Sequence, residues 1–410
     1  MLTRRHFLES AALAPFLLKA AAAAEPLRVA VIATAYDLQS DPQQLCDRFL
    51  VGYAWEGEWH HPAMKVVSLY VDQKGEGDLS GDRAQQFGFK VYPTIGEALF
   101  VGGTQLACDA VLLIPAGGKY AENEYPARKF FDECVKAFQK GGKAVPVFNA
   151  YNLAETFGQA KSMVTTAAKI KFPLLAGSWM PLTWRLPDFD LPADSEPEEV
   201  LIAGGGVSDQ MPYHSLDALQ SIVERRKGGE RGIASVQLIE GDAVWEAQKA
   251  GVWSKELLSS ALSRSDTPLG LTVKDGRTQD LVGSGVLPGL ATNPSAYVIK
   301  YRDGLRGTVL MLNGAVRDYN FAARIRGKGH LSWQFLITPE PDVTYSTGLA
   351  AHIEQMFLTG KPPYPVERSL LTSGVLEASA KSRAGGNKAV ETPQLAIAYK
   401  APGKSEYTRT

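Results

Sequence analysis

The chain has 410 residues, 45% of them hydrophobic and 21% charged, with a formal net charge of −1 at pH 7. That is ordinary globular material, long enough for two units with full cores, and so balanced a charge draws no nucleic acid. Cys46, Cys108 and Cys134 are too few and too scattered for a disulfide framework, although an oxidising compartment would permit one bridge, and they lack metal-type spacing.

At the start, Thr3-Arg4-Arg5-His6-Phe7-Leu8 sets an adjacent arginine pair before an aromatic and a leucine, which is the twin-arginine pattern. The apolar stretch Ala11 to Leu18 and the small residues Ala20 to Ala24 follow, so cleavage before Glu25 is expected. The run is too short to span a bilayer. Residues 1–24 are therefore expected to be a signal peptide, and the mature chain to be periplasmic with no membrane span.

From Leu27 onward, short β-rich runs alternate with helical stretches, the pattern of a doubly wound, Rossmann-like parallel sheet. Strands are expected at Leu27–Thr34, Met64–Asp72, Lys90–Tyr92, Asp109–Ile114, Lys143–Phe148 and Pro173–Gly177. Helices are expected at Asp82–Phe87, Thr94–Phe100, Glu124–Gln139 and Leu153–Thr166, with Thr94 and Glu97 spaced as a capping box. The Pro- and acid-rich stretch Leu186–Glu199 reads as a connection. It divides an N-terminal unit, 25–185, from a C-terminal α+β unit, 186–410, whose last helices and strand can pack back on the first. Strands at Ile233–Glu240, Ala296–Tyr301, Gly307–Asn313, Ala322–Arg326 and Leu331–Thr338 then predict a mostly antiparallel open sheet. Helices at Tyr213–Arg226, Ala243–Ser263, Thr347–Leu358 and Glu367–Lys381 are expected to cover one face of it.

This order resembles the glucose-fructose oxidoreductase, inositol dehydrogenase and MocA (Gfo/Idh/MocA) family. Local residues carry the resemblance: Phe87 through Leu99, the strand Cys108 to Ile114, and Gly204-Gly205-Gly206-Val207 leading to His214-Ser215-Leu216-Asp217. It implies a nicotinamide-using fold with an interdomain cleft for a sugar or cyclitol, and association of copies through the open face of the second sheet.

The departures fall on the residues that perform the family's chemistry. Where a Gly-x-Gly-x-x-Gly turn would seat a pyrophosphate, the matching positions are Ala33, Ala35 and Leu38. Asp72 stands at the second strand's end, where an acid would hold a ribose hydroxyl, but unusually far from that turn. The family's Glu-Lys-Pro is replaced by Phe148-Asn149-Ala150, and asparagine cannot titrate. The family's aspartate falls on Gln210, with Asp209 one residue early, while His214 keeps its place. NAD(P) is thereby disfavoured, and the cofactor is left unknown.

His214 and Asn149 are the candidate catalytic groups. Trp179, Trp184, Arg185, Lys119 and Tyr120, on the carboxyl edge of the first sheet, are the candidate ligand-binding residues, suited to sugar rings and carboxylates. The aromatic stretch from Arg48 to His61 is read either as a lid over the nucleotide groove or as an insertion with its own small core. No metal is expected, since the adjacent His60 and His61 point to opposite faces of a strand. The expectation is an exported, non-catalytic protein that binds a sugar, cyclitol or related small polar molecule in its interdomain cleft. The alternative is a divergent NAD(P)-dependent oxidoreductase or a nicotinamide-using carbohydrate-active enzyme, and a homo-oligomer fits either reading.

Overall fold

The computed structural model describes residues 25–121, 124–206, 211–276, 278–339 and 342–409. The arginine pair and signal segment, and Asp209 and Gln210, lie outside the described residues. In the first unit, β1 (Leu27–Ala33), α1 (Asp41–Val51), β2 (Tyr53–Trp55) and β3 (Glu58–His60) come first. Then follow β4 (Met64–Val71), α2 (Ser80–Phe87), β5 (Lys90–Tyr92), α3 (Ile95–Phe100) and β6 (Ala110–Ile114). The unit closes with α4 (Ala127–Gly141), β7 (Val147–Ala150), α5 (Phe157–Ile170) and β8 (Leu174–Gly177).

Six of these strands form one parallel sheet in the order β5-β4-β1-β6-β7-β8. β1 and β6 are buried along nearly their whole length, as parallel strands covered on both faces must be. The order reverses between β1 and β6, and the crevice beyond their carboxyl ends is where this architecture binds ligands. At α3, Thr94 Oγ1 accepts from the Glu97 amide at 3.1 Å, while the Glu97 carboxylate meets the Thr94 hydroxyl.

The second unit contains β9 (Arg185–Leu186), β10 (Pro197–Gly204), α6 (Met211–Val223), β11 (Ile233–Glu240), α7 (Ala243–Lys249) and α8 (Lys255–Leu262). After α9 (Asp266–Asp275) and α10 (Leu287–Leu290) come β12 (Ser295–Tyr301), β13 (Arg306–Met311), β14 (Tyr319–Ile325) and β15 (Gly329–Phe335). The chain ends through α11 (Thr347–Thr359), α12 (Glu367–Ala384) and β16 (Val390–Glu391). These strands make an eight-stranded sheet, β16-β11-β12-β13-β10-β14-β15-β9, antiparallel except between β10 and β13. β10 sits centrally and begins at Pro197, so the acidic connection ends three residues sooner than its composition indicated.

The expectation of one covered face needs correction, because both faces are buried. Val200, Ile202, Ile299, Val309 and Phe321 join the core shared with α6, α12 and the first sheet. Their immediate neighbours Leu201, Ala203, Val298, Leu310 and Ala322 enter a second core with Val244, Trp253, Leu257 and Leu258. Apolar residues at successive strand positions thus feed opposite layers. The face expected to join copies of the chain is covered by α7 and α8. The three cysteines are buried and unpaired, and burial pushes the Cys46 and Cys108 thiols up to about 12.

The outer layer depends on Trp253, which is 2% exposed and donates its indole N–H to the Val244 carbonyl at 3.0 Å. Trp253→Ala should destabilise the protein by about 3–5 kcal/mol through the cavity it leaves. Urea unfolding followed by circular dichroism checks this, and a loss below about 1 kcal/mol would show that the layer is not part of the cooperative core.

Candidate functional site

At the crevice between β1 and β6, the chain's own groups stand where a dinucleotide would lie. α1 begins at Asp41, after a loop of residues 34–40 rather than a tight glycine turn. Its N-terminus, the positive pole of the helix dipole, is already satisfied. Ser40 Oγ accepts from the Gln43 amide, and the half-buried Asp41 carboxylate accepts a hydrogen bond from the Tyr151 hydroxyl. Burial raises the Asp41 pKa, and the Tyr151 bond partly offsets this. Ala35 is buried, but Leu38 is 73% exposed. The obstruction to a pyrophosphate therefore does not come from a leucine wedged between helix and sheet, as the aligned position implied. It comes from the longer loop and from Asp41.

Asp72, one residue beyond β4, is also engaged. Tyr70 donates its hydroxyl to Oδ1 at 2.5 Å and Tyr120 donates to Oδ2 at 2.8 Å, so two phenols stand where a ribose diol would bind. Lys119 is exposed. Its backbone is tied to Gln73 by bonds of 2.7 and 2.9 Å, which hold the β6–α4 loop over β4. The loop can turn there because Gly118 adopts φ +78°, and a Cβ on it would come within 2.8 Å of the Tyr120 ring. These residues do not fit NAD(P) in the manner usual for the fold, since a carboxylate faces the phosphate seat and the acid at β4 has its partners.

Beside this filled crevice lies an open groove of about 790 Å³. One wall is the β6–α4 loop with Tyr120, Glu124 and Tyr125, and another is the β7–α5 loop with Tyr151 and Glu155. α6 contributes Tyr213, and α12 contributes Glu377 and Lys381. α12 is fastened to the first sheet: the Ser369 hydroxyl donates to the Ala176 carbonyl, and Ser373 Oγ accepts from the Leu153 amide. Glu377 accepts from the Phe157 amide at 3.1 Å, so the N-terminus of α5 also meets an internal carboxylate.

His214 and Asn149 lie beneath this groove and do not line it. Asn149 is fully buried and braces the turn after β7, donating to the Ala150 and Asn152 carbonyls at 3.2 and 3.1 Å. The His214 ring is buried against Tyr151 at 4.8 Å and Trp179 at 4.9 Å. Burial pushes its imidazole down to about 3, so it is neutral at pH 7. Trp179 packs between His214 and Tyr345 and seals the interdomain contact. Arg185 and half-buried Trp184 belong to the second sheet's edge, apart from the groove. The Arg185 guanidinium pairs with Asp190 and lies against the Tyr407 and Trp333 rings at 4.0 and 4.7 Å. The Trp184 carbonyl accepts from the Leu336 amide.

Two other expectations change. The glycines before α6 serve close packing within their own unit: a Cβ on Gly205 would run into the Val316 carbonyl, and Tyr319 donates to the Gly205 carbonyl. The aromatic insertion is the β2–β3 hairpin, docked on α11. There Tyr53 and His60 meet Glu354 at 2.6 and 2.8 Å, while Trp59 stays 57% exposed. The insertion is therefore neither a lid nor a core of its own. Sequence reasoning missed Tyr151, Glu155 and Tyr213. Tyr151 lies three residues beyond a predicted strand's carboxyl end, which was a usable signal, whereas Glu155 falls in the stretch expected to be helix from Leu153, which in the structure starts only at Phe157. Tyr213 sits beside the histidine that drew attention.

The buried imidazole has a measurable consequence. Its folded pKa lies below the unfolded value of about 6.5, so its contribution to stability is intact above that pH. The contribution is lost as pH falls from there towards about 3, with a slope approaching 1.4 kcal/mol per pH unit. Urea midpoints of the parent and His214→Phe at pH 7 and pH 5 should show a smaller acid loss in the variant. Equal losses would mean that His214 is not buried in its neutral form.

No family model matches this sequence, and no curated protein sequence does either. Solved structures do match. Myo-inositol dehydrogenase from Lactobacillus casei, solved with NAD(H) and myo-inositol, is 14% identical with TM-score 0.54, over 89% of this chain and 96% of that one. GenD2 from gentamicin A biosynthesis, solved with NAD, is 14% identical with TM-score 0.57, over 90% and 96%. Myo-inositol 2-dehydrogenase from Lactobacillus plantarum is 11% identical with TM-score 0.53, over 89% and 99%. The chain therefore has the two-unit fold of the Gfo/Idh/MocA-type inositol dehydrogenases and related oxidoreductases.

Proposed function

We propose that this chain is a binding protein for a small polar metabolite of the sugar or cyclitol kind, which it seats in the groove beside α12 without using a dinucleotide. The carrying observation is the Asp41–Tyr151 contact at the N-terminus of α1, which puts an acid where a pyrophosphate needs a positive pole. The engaged Asp72 supports the same reading, and so does the absence of a titrating side chain at Asn149. A groove of about 790 Å³ is in the range of small-molecule sites, and the half-buried Tyr120 and Tyr125 on its wall offer ring faces to a polyol. The fold neighbour solved with myo-inositol makes a cyclitol a reasonable first probe.

Calorimetry on the mature protein should show no low-micromolar affinity for NAD or NADP. It should show saturable binding for at least one member of a panel of sugars and cyclitols, weakened by Tyr120→Ala. Low-micromolar NAD binding that disappears in Asp72→Ala would replace this reading with the oxidoreductase one. A stoichiometric nicotinamide released from denatured protein would do the same.

The arginine pair supports a second part of the proposal, that the protein folds in the cytoplasm and acts in the periplasm after twin-arginine export. Replacing Arg4 and Arg5 by lysine should leave the precursor in the cytoplasm. Undiminished processed protein in the periplasm would point to the general secretory route.

A further inference from the structure

The groove carries more negative charge than a neutral sugar requires. Three glutamates line it, Glu124, Glu155 and Glu377, against one cation, Lys381. Glu377 is balanced locally, by Lys381 at 2.9 Å and by the amide at the start of α5. Glu155 and Glu124 form no ion pair among the described residues. Glu155 is half-buried, and partial desolvation raises its pKa with no neighbouring cation to offset the rise. A carboxylate in a concave groove with no cation beside it attracts a ligand that brings a positive charge.

The aromatic walls point the same way. Tyr120 and Tyr125 stand half-buried on the groove's wall, and a ring face attracts an ammonium as well as stacking on a sugar. A phosphorylated or carboxylated sugar would meet the two unbalanced acids and be repelled. A neutral polyol would cover Glu155 without compensating it.

We infer that the ligand of this groove is a protonated amine on a polyhydroxylated ring, an amino sugar or aminocyclitol, with its ammonium group against Glu155 and its ring against the tyrosines. This rests on the groove being the binding site proposed above. The groove's size accommodates a unit larger than one monosaccharide.

The test is calorimetry on the full mature protein with three disaccharides of one skeleton. The glucosamine disaccharide carries two ammonium groups, its N,N′-diacetyl form carries none, and cellobiose has hydroxyls in their place. The diamine should bind at least about tenfold more tightly than either neutral form, and Glu155→Gln should remove most of that preference while circular dichroism stays unchanged. Equal or tighter binding of a neutral disaccharide would overturn the amine inference and leave the groove's binding role standing. A preference for the diamine that survives in Glu155→Gln would also overturn it, by placing the ammonium elsewhere. If none of the three binds and the wider sugar and cyclitol panel also fails, the inference and the binding role fall together.

Discussion

Tyr151 is the contact on which the rest of the arrangement turns. It follows β7 directly, in the left-handed backbone region at φ 65°, a conformation that costs a bulky residue of order 1–3 kcal/mol and persists only where its surroundings hold it. They do so on three sides. Its amide donates to the Gly177 carbonyl, its hydroxyl meets Asp41 at the start of α1, and its ring packs on His214 of the second unit. One residue thus ties β7, β8, α1 and α6 together at the carboxyl edge of the sheet. It fills the dinucleotide side of the crevice and leaves the groove on the other.

The electrostatics follow from the same placement. α1 and α5 both point their positive ends at this edge, which in a doubly wound sheet makes a ready seat for phosphate. Here each end is met by a carboxylate from the chain itself, Asp41 in one case and Glu377 in the other. With those poles answered, the remaining glutamates are unbalanced, and the local field favours cations and hydroxyl-rich molecules over anions. The two answered helix poles and the acidic groove are therefore parts of one arrangement of charge.

The second unit supports the groove as a rigid wall. α12 packs against α5, β8 and α6, with Arg368 bound to Glu224 at 2.6 Å in a fully buried pair. Breaking such a pair by removing one partner costs about 3–5 kcal/mol, since the other charge is left unpaired. On the far side of the eight-stranded sheet, α7 and α8 add a further layer, so this sheet is as enclosed as the first.

The parallel sheet, its strand order and most helices of the first unit were legible in the sequence because hydrophobic periodicity and right-handed crossovers are local rules. That Ala33 and Ala35 stand in place of glycines, and Asn149 in place of a titrating residue, is likewise a reading of local spacing. Tertiary structure alone decided the rest. Whether His214 faces ligand or lies under Tyr151 depends on a ring more than sixty residues away. Glu155 stands in an acidic groove only because α12, more than two hundred residues further on, closes its wall. Which strand face meets which core layer also could not be read where apolar residues run consecutively, as at Val200–Ala203, because alternation is the only sequence signal for a face and burial on both sides erases it.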